Sequence, residues 1–192
     1  THLIPSLHWS NSRPMSQHIR VTLWSLAILI VPSTVYADVN ISELVASNGS
    51  GIQDEDGDTS DWMELHNDGD DLVDLTNWSL QDGGKNQRTW NFPSLSIQPD
   101  GYLLIFASGK DRKSETLHTD FELKRSGENI TLRDAHGTIV DTTNYPSQHT
   151  DVAWGTYSDE VRYLFPATPG VSNQSAKAYE GVLPKPELSH TG

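Results

Sequence analysis

The sequence predicts an all-β fold, and three observations carry this prediction. Between residues 38 and 173, apolar residues come in runs of roughly four to eight, the usual length of a strand. In several runs apolar and polar residues alternate, as around Met63 and Leu65, and this alternation places the apolar side chains on one face of a strand. Glycine-bearing turns such as Asp68-Gly69 and Gly83-Gly84 separate the runs.

Short turns between neighbouring strands favour antiparallel pairing, and two stacked sheets would enclose the apolar faces. We therefore expect an immunoglobulin-like antiparallel β-sandwich of roughly eight or nine strands. The segment Tyr102 to Ala107 is apolar throughout, which predicts a strand covered on both faces at the middle of a sandwich. Tryptophans in these runs are expected to pack in the core or at sheet edges; they are Trp62, Trp78, Trp90 and Trp154.

An export signal is predicted before the sandwich. Residues 1–14 show no hydrophobic period and are interpreted as a segment upstream of any domain. From Met15, a weakly positive start with Arg20 precedes an apolar run over residues 21–31 and a polar end at Ala37. This order is typical of a signal peptide over residues 15–37 that is cleaved after Ala37.

A retained transmembrane helix is the alternative interpretation of this leader. Its apolar run of about eleven residues would cover only about half of a ~30 Å hydrocarbon core. We therefore expect a secreted, periplasmic or cell-surface protein with no membrane span after cleavage.

A linker is predicted after the sandwich, which we place at residues 38–174. Proline, serine and lysine are frequent in residues 175–192, and such a composition buries little surface. The apolar residues between Val182 and Leu188 could open a following domain. Covalently linked downstream domains are therefore expected.

The charge and the cysteine content exclude several classes of function. With 26 acidic and 13 basic residues, the net charge is −13, which repels phosphate backbones and gives no support to a nucleic-acid partner. The chain has no cysteine. A disulfide framework, a thiolate zinc site and a cysteine nucleophile are thus excluded.

Acidic residues are densest between Asp54 and Asp74, a stretch without Lys or Arg. Carboxylates at alternate positions around a flexible glycine could converge on Ca²⁺, and the candidate ligands are Asp54, Asp56, Asp58 and Asp61. The favoured alternative is a turn whose carboxylates face water. The spacing does not fit a calcium hand, because Gly57 does not occupy the sixth position and Leu65 at the twelfth cannot bind the ion.

Other chemistry has weaker signals. The largest basic cluster, Lys110, Arg112 and Lys113, is expected to be a solvated loop. The sequence contains no nucleophile elbow, Walker loop or paired zinc histidines, so we predict no catalytic residue and no certain cofactor. Exposed aromatic residues could bind a glycan, and the candidates are Trp62, Trp90 and Trp154.

Several blocks, in order, resemble a bacterial lamin-tail domain between Val39 and Gln174. They are Ile41–Asn48, Asp54–Asn67, Val73–Asp82, Trp90–Pro93, Gly101–Lys110, Leu117–Leu123 and Thr168–Asn173. The resemblance implies an immunoglobulin-like sandwich without catalysis of its own, which in bacteria typically sits in large exported proteins. Nuclear-lamin roles are not carried over, since the chain has no coiled-coil rod and its charge opposes chromatin binding.

Three functional hypotheses follow. The first is a non-catalytic interaction or spacer module at the N-terminus of a larger exported bacterial protein, with a protein or cell-surface partner. The second is a carbohydrate-binding module, stabilised by calcium, with a glycan partner. The third is a small metal-dependent exported hydrolase built around the acidic residues.

Overall fold

The computed structural model describes residues 39–181. The predicted signal peptide, its cleavage site and the start of a following domain lie outside these residues. The described part contains twelve strands and one 3₁₀ turn, Asn173–Ser175. The strands are β1 (Val39–Val45), β2 (Trp62–Asn67), β3 (Val73–Asp74), β4 (Ser79–Asp82), β5 (Thr89–Asn91), β6 (Ser96–Ile97), β7 (Tyr102–Phe106), β8 (Glu128–Arg133), β9 (Ile139–Tyr145), β10 (Ala153–Tyr157), β11 (Glu160–Phe165) and β12 (Lys177–Tyr179).

Two larger sheets form the antiparallel sandwich. The first has six strands in the order β12-β11-β10-β1-β2-β7, and the second has four in the order β5-β4-β8-β9. A small sheet pairs β3 with β6. The predicted fold class is confirmed. The strands outnumber the predicted eight or nine because β3 and β6 have two residues each, and β5 and β12 three.

The main core lies between the two larger sheets. β1 and β2 contribute Leu44, Met63 and Leu65, and the four-stranded sheet contributes Leu80 and Ile130. A β-bulge shifts the register of β1 against β2 between Ile41 and Glu43. Because the bulge adds one residue to the pleat, Ile41 and Leu44 both join the same core although they are three positions apart.

A second, smaller core covers the other face of the six-stranded sheet. Val45, Trp62, Phe106 and Leu164 belong to it, and the chain after β11 covers them with Ala176. The sheet is therefore buried on both faces. β12, which pairs with β11 through Leu164 and Ala178, lies beyond the expected boundary at residue 174.

β7 is covered on both faces, as the sequence predicts. It is the last strand of the six-stranded sheet, where it pairs with β2, and Phe106 at its end also bridges to His118. Its residues are apolar throughout because Ile105 packs in the main core while Phe106 packs in the second. The two cores therefore cover the two faces of β7. Among the described residues, none forms a helix long and apolar enough to cross a membrane.

Candidate functional site

The acidic turn, residues 54–58, is built around one aspartate. Asp54 Oδ1 accepts hydrogen bonds from the backbone N–H groups of Asp56 and Asp58, each at 3.0 Å. Gly57 has a φ of 83°, a left-handed conformation that glycine adopts without steric cost. The turn brings carboxylate oxygens of Asp54, Asp56 and Asp58 within 4.8 Å of one another. Three of the four predicted metal ligands therefore converge.

A lysine ammonium lies among these three carboxylates. Lys110 Nζ is 2.6 Å from Asp54, 2.8 Å from Asp56 and 2.9 Å from Asp58. Asp61 does not join them, since its Oδ1 accepts the backbone N–H of Asn48 at 3.0 Å. Calcium binding by these residues stays a prediction, and the ion would have to compete with the ammonium for the same oxygens.

The ion pairs correct two expectations about exposure. The Asp54 side chain is 0% exposed, so this carboxylate does not face water. Burial by itself would raise the pKa of Asp54, but Lys110, the turn N–H groups and Ser60 together hold it well below its ordinary value. The basic residues are not a free solvated loop either, because Lys110 and Arg112 both bind the acidic turn.

A second set of contacts joins the same two segments. The Arg112 guanidinium binds Glu55 and lies 2.8 Å from Asp56 Oδ2. His118 Nε2 lies 2.9 Å from Glu55 Oε2. The hydrogen bonds from His118 and then Arg112 lower the pKa of Glu55 to about 2. Glu55 is therefore a carboxylate throughout the physiological range.

Ser108, His118 and Glu55 lie in line. Ser108 Oγ is 2.8 Å from His118 Nδ1, and the other ring nitrogen faces Glu55. A hydroxyl, an imidazole and a carboxylate in this order are the parts of a nucleophilic hydrolase. Here, however, His118 is fully buried, and the Lys110 backbone N–H donates to the Ser108 oxygen that would have to attack. The arrangement ties the loop after β7 to the acidic turn.

The three tryptophans proposed as glycan ligands differ in how deeply they are buried. Trp62 and Trp90 are each 1% exposed, so neither is an exposed platform, and both pack in a core as the favoured interpretation expects. Trp62 fills the second core, and Trp90 packs edge-on against Phe92 in the main core. Trp154 is half-buried and packs edge-on against Tyr163. Its indole N–H has no hydrogen-bond partner among the described residues.

A second polar cluster lies under the chain that follows β11. Glu43 and Glu64 are both 0% exposed and are paired across β1 and β2. The backbone N–H of Thr168 lies 3.0 Å from Glu43 Oε2, and Gly170 N–H donates to Glu64. Burial raises the pKa of Glu43 to about 7, and burial also raises the pKa of Glu64.

Sequence reasoning missed the basic partners of the acidic turn and the glutamate pair. Lys110 lies 56 residues from Asp54, and Thr168 lies 125 residues from Glu43. No local spacing links such positions. The sequence signals were the basic cluster at Lys110, Arg112 and Lys113 and, for the glutamate pair, its presence in the resembling blocks, and neither signal assigns a contact.

A known protein family matches the part of the chain that holds the acidic turn and the glutamate pair. The family model of the Lamin Tail Domain matches residues 32–147, more than half of the sequence. The chain belongs to the lamin tail domain family. The match contains the acidic turn, Lys110 and both glutamates, whereas the closing strands β10 to β12 follow it. No curated protein matches the chain. Membership supports a non-catalytic module in general terms.

Proposed function

We propose that this lamin tail domain is a non-catalytic interaction or spacer module at the N-terminus of a larger exported bacterial protein. One observation carries the non-catalytic part. Groups that could do chemistry are held in internal contacts: Lys110 by three carboxylates, and Glu55 by Arg112 and His118. A general acid, base or nucleophile needs a free face toward a substrate.

Hydrolysis assays test this proposal directly, with nitrophenyl acetate and nitrophenyl phosphate as substrates. We expect the purified chain to hydrolyse both at the rate of buffer, and Ser108→Ala to behave identically. Turnover above buffer that disappears in both Ser108→Ala and Glu55→Gln would instead identify a serine hydrolase and overturn the proposal.

Export is supported by the order of residues in the leader, and its test is the mature N-terminus. When the chain is expressed in a bacterium with a general secretory pathway, we expect a processed product that begins at Asp38. An Ala37→Arg variant should remain unprocessed, because the cleavage site needs a small residue. A cytoplasmic product of full length from the unaltered chain would contradict export.

The glycan-binding alternative now depends on one aromatic side chain. Trp154 is the single candidate tryptophan that keeps some exposure. The other two candidates, Trp62 and Trp90, are buried and cannot extend it into a binding surface. A polysaccharide pull-down with the wild type and Trp154→Phe separates the alternatives. Equal lack of retention favours the interaction or spacer module, and retention that falls only in the variant favours glycan binding.

A further inference from the structure

A surface cavity of about 310 Å³ opens beside the second core. Its walls come from the loop after β1, the start of β2, the segment between β9 and β10, the end of β11 and the chain that follows β11. The principal lining residues are Ile52, Trp62, Asp151, Phe165, Pro166 and Pro169. This volume is at the lower end of the range of small-ligand sites and accommodates one or two side chains of a peptide.

The apolar wall of the cavity is preformed. Trp62 is held in the second core, and Phe165 at the end of β11 is 51% exposed although it is a large hydrophobic residue. Pro166 and Pro169 have fixed φ angles, so the wall has little conformational freedom to lose on binding. Asn48 stabilises the rim by donating to the carbonyl groups of Ile52 and Ser60.

Asp151 is the one charged residue among the described residues that line the cavity. Its Oδ1 accepts the backbone N–H groups of Gly49 at 2.6 Å and Ser50 at 2.9 Å, and its Oδ2 accepts the Ser50 hydroxyl at 2.7 Å. The bonds from the Ser50 side chain and backbone lower the pKa of Asp151. The carboxylate is therefore fixed in place and ionised.

Asp151 differs from the acidic turn in its charge balance. Lys110 and Arg112 form salt bridges with carboxylates of the turn, whereas Asp151 has no salt bridge to a basic residue within the described part of the chain. The whole chain carries a net charge of −13. An apolar recess with an unneutralised carboxylate at its rim, on an acidic protein, is complementary to a group that is both apolar and cationic.

We propose that this cavity binds a basic peptide segment of a partner protein. An apolar side chain of the segment packs against Ile52, Phe165 and Pro166, and a neighbouring Lys or Arg pairs with Asp151. This inference rests on the proposed interaction role and names the chemistry of its partner.

The test uses three blocked dipeptides as probes: acetyl-Leu-Lys-amide, acetyl-Leu-Gln-amide and acetyl-Ala-Lys-amide. Titrations of the ¹⁵N-labelled full chain are followed by NMR at the amides of Gly49, Ser50 and Phe165. We expect Leu-Lys to bind about threefold more tightly than Leu-Gln, as an exposed ion pair allows. We expect it to bind about tenfold more tightly than Ala-Lys, as loss of a buried leucine side chain predicts.

The variant Asp151→Asn should abolish the preference for Lys over Gln while keeping the fold. Asp151 has a φ of 61°, a conformation that asparagine tolerates. The matched control is Asp134→Asn, since Asp134 Oδ1 also accepts two backbone N–H groups, each at 2.8 Å, in the turn after β8. The control should keep the preference.

Three results would overturn this inference. They are equal affinity for Leu-Lys and Leu-Gln, unchanged affinity in Phe165→Ala, and tighter dipeptide binding in Lys185→Gln. The last result would make the chain's own C-terminal segment the occupant instead of a partner. None of the three would affect the hydrolysis and export tests, so this inference can fail while the proposed function stands.

Discussion

Glu43 on β1 and Glu64 on β2 are direct cross-strand neighbours, and both side chains are fully buried. The Thr168 hydroxyl lies 3.1 Å from Glu43 Oε2 and 2.9 Å from Asn173 Oδ1. One hydroxyl hydrogen cannot serve two acceptors. If Glu43 is protonated, it donates to Thr168, and Thr168 donates to Asn173. The hydrogen-bond geometry therefore agrees with the raised pKa of Glu43.

The stability of the domain should fall as the pH rises above 5. Glu43 binds its proton more tightly when folded, with a pKa of about 7 against an ordinary 4.5. Its stabilising contribution is therefore complete below pH 4.5 and lost as the pH passes through 7. We expect a free energy of unfolding about 2 kcal/mol lower at pH 8 than at pH 5, measured by urea denaturation.

At low pH the acidic turn has the opposite effect on stability, which it lowers as the pH falls. Glu55, with a pKa lowered to about 2 by His118 and Arg112, contributes stability above its ordinary value of 4.5 that is lost as the pH falls toward 2. We therefore expect maximal stability near pH 5. A curve that rises steadily from pH 5 to pH 8 would contradict the assignment of Glu43.

Glu43→Gln should remove most of this pH dependence. Glutamine imitates the protonated acid, because its amide N–H₂ can donate to the Thr168 hydroxyl while its oxygen accepts the Thr168 N–H. We expect the variant to match the wild type at pH 5 and to exceed it at pH 8 in urea denaturation.

Glu43→Ala is the comparison variant for this substitution. It leaves the buried Thr168 N–H without its acceptor, and we expect a loss of about 2 kcal/mol at pH 5. At pH 8 the difference from the wild type should be small, because ionisation of the buried Glu43 has already removed its stabilising contribution there. If glutamine destabilises the fold as much as alanine does, Glu43 is ionised in the native state.

Lys110→Met should expose the repulsion within the acidic turn. Three carboxylates would remain within 4.8 Å of one another without the ammonium, and only Asp56 would keep a basic partner, Arg112, among the described residues. We expect a loss of about 2 kcal/mol at pH 7, since Asp54 is buried while its two neighbours are partly exposed. Lys113→Met is the control, because Lys113 Nζ lies 3.7 Å from Asp111 and 5.6 Å from the Trp90 ring centroid and forms no salt bridge to the acidic turn among the described residues.

Calcium should distinguish the variant from the wild type. With the ammonium removed, the oxygens of the acidic turn are free for a hard cation, so millimolar Ca²⁺ should raise the melting temperature of Lys110→Met more than that of the wild type. An equal rise in both proteins would mean that the ion binds without displacing Lys110, or binds elsewhere.

Trp62→Ala and Trp90→Ala should unfold or strongly destabilise the domain rather than selectively remove a binding function. Each side chain is 1% exposed, and removal of a buried tryptophan costs about 3–5 kcal/mol. Trp154→Ala should cost less, because this side chain is half-buried. Thermal unfolding followed by circular dichroism measures the difference, and equal melting temperatures for all three variants would contradict the described cores.

The amino-acid sequence by itself determined the all-β class, the positions of most strands and the family. These features depend on local signals, since alternation places side chains on the faces of one strand and glycine permits the turn that ends it. The burial of Trp90 between the exposed Thr89 and Asn91, for example, follows from alternation within β5.

Only the tertiary structure decided which distant groups meet. The edge position of β7, the binding of Lys110 to the acidic turn and the contact of Thr168 with Glu43 join segments up to 125 residues apart. Strand periodicity repeats every two residues and specifies a face but not a partner strand. The order of strands in a sheet sets these pairings, and with them the charge balance that leaves Asp151 without a basic partner in the described part of the chain.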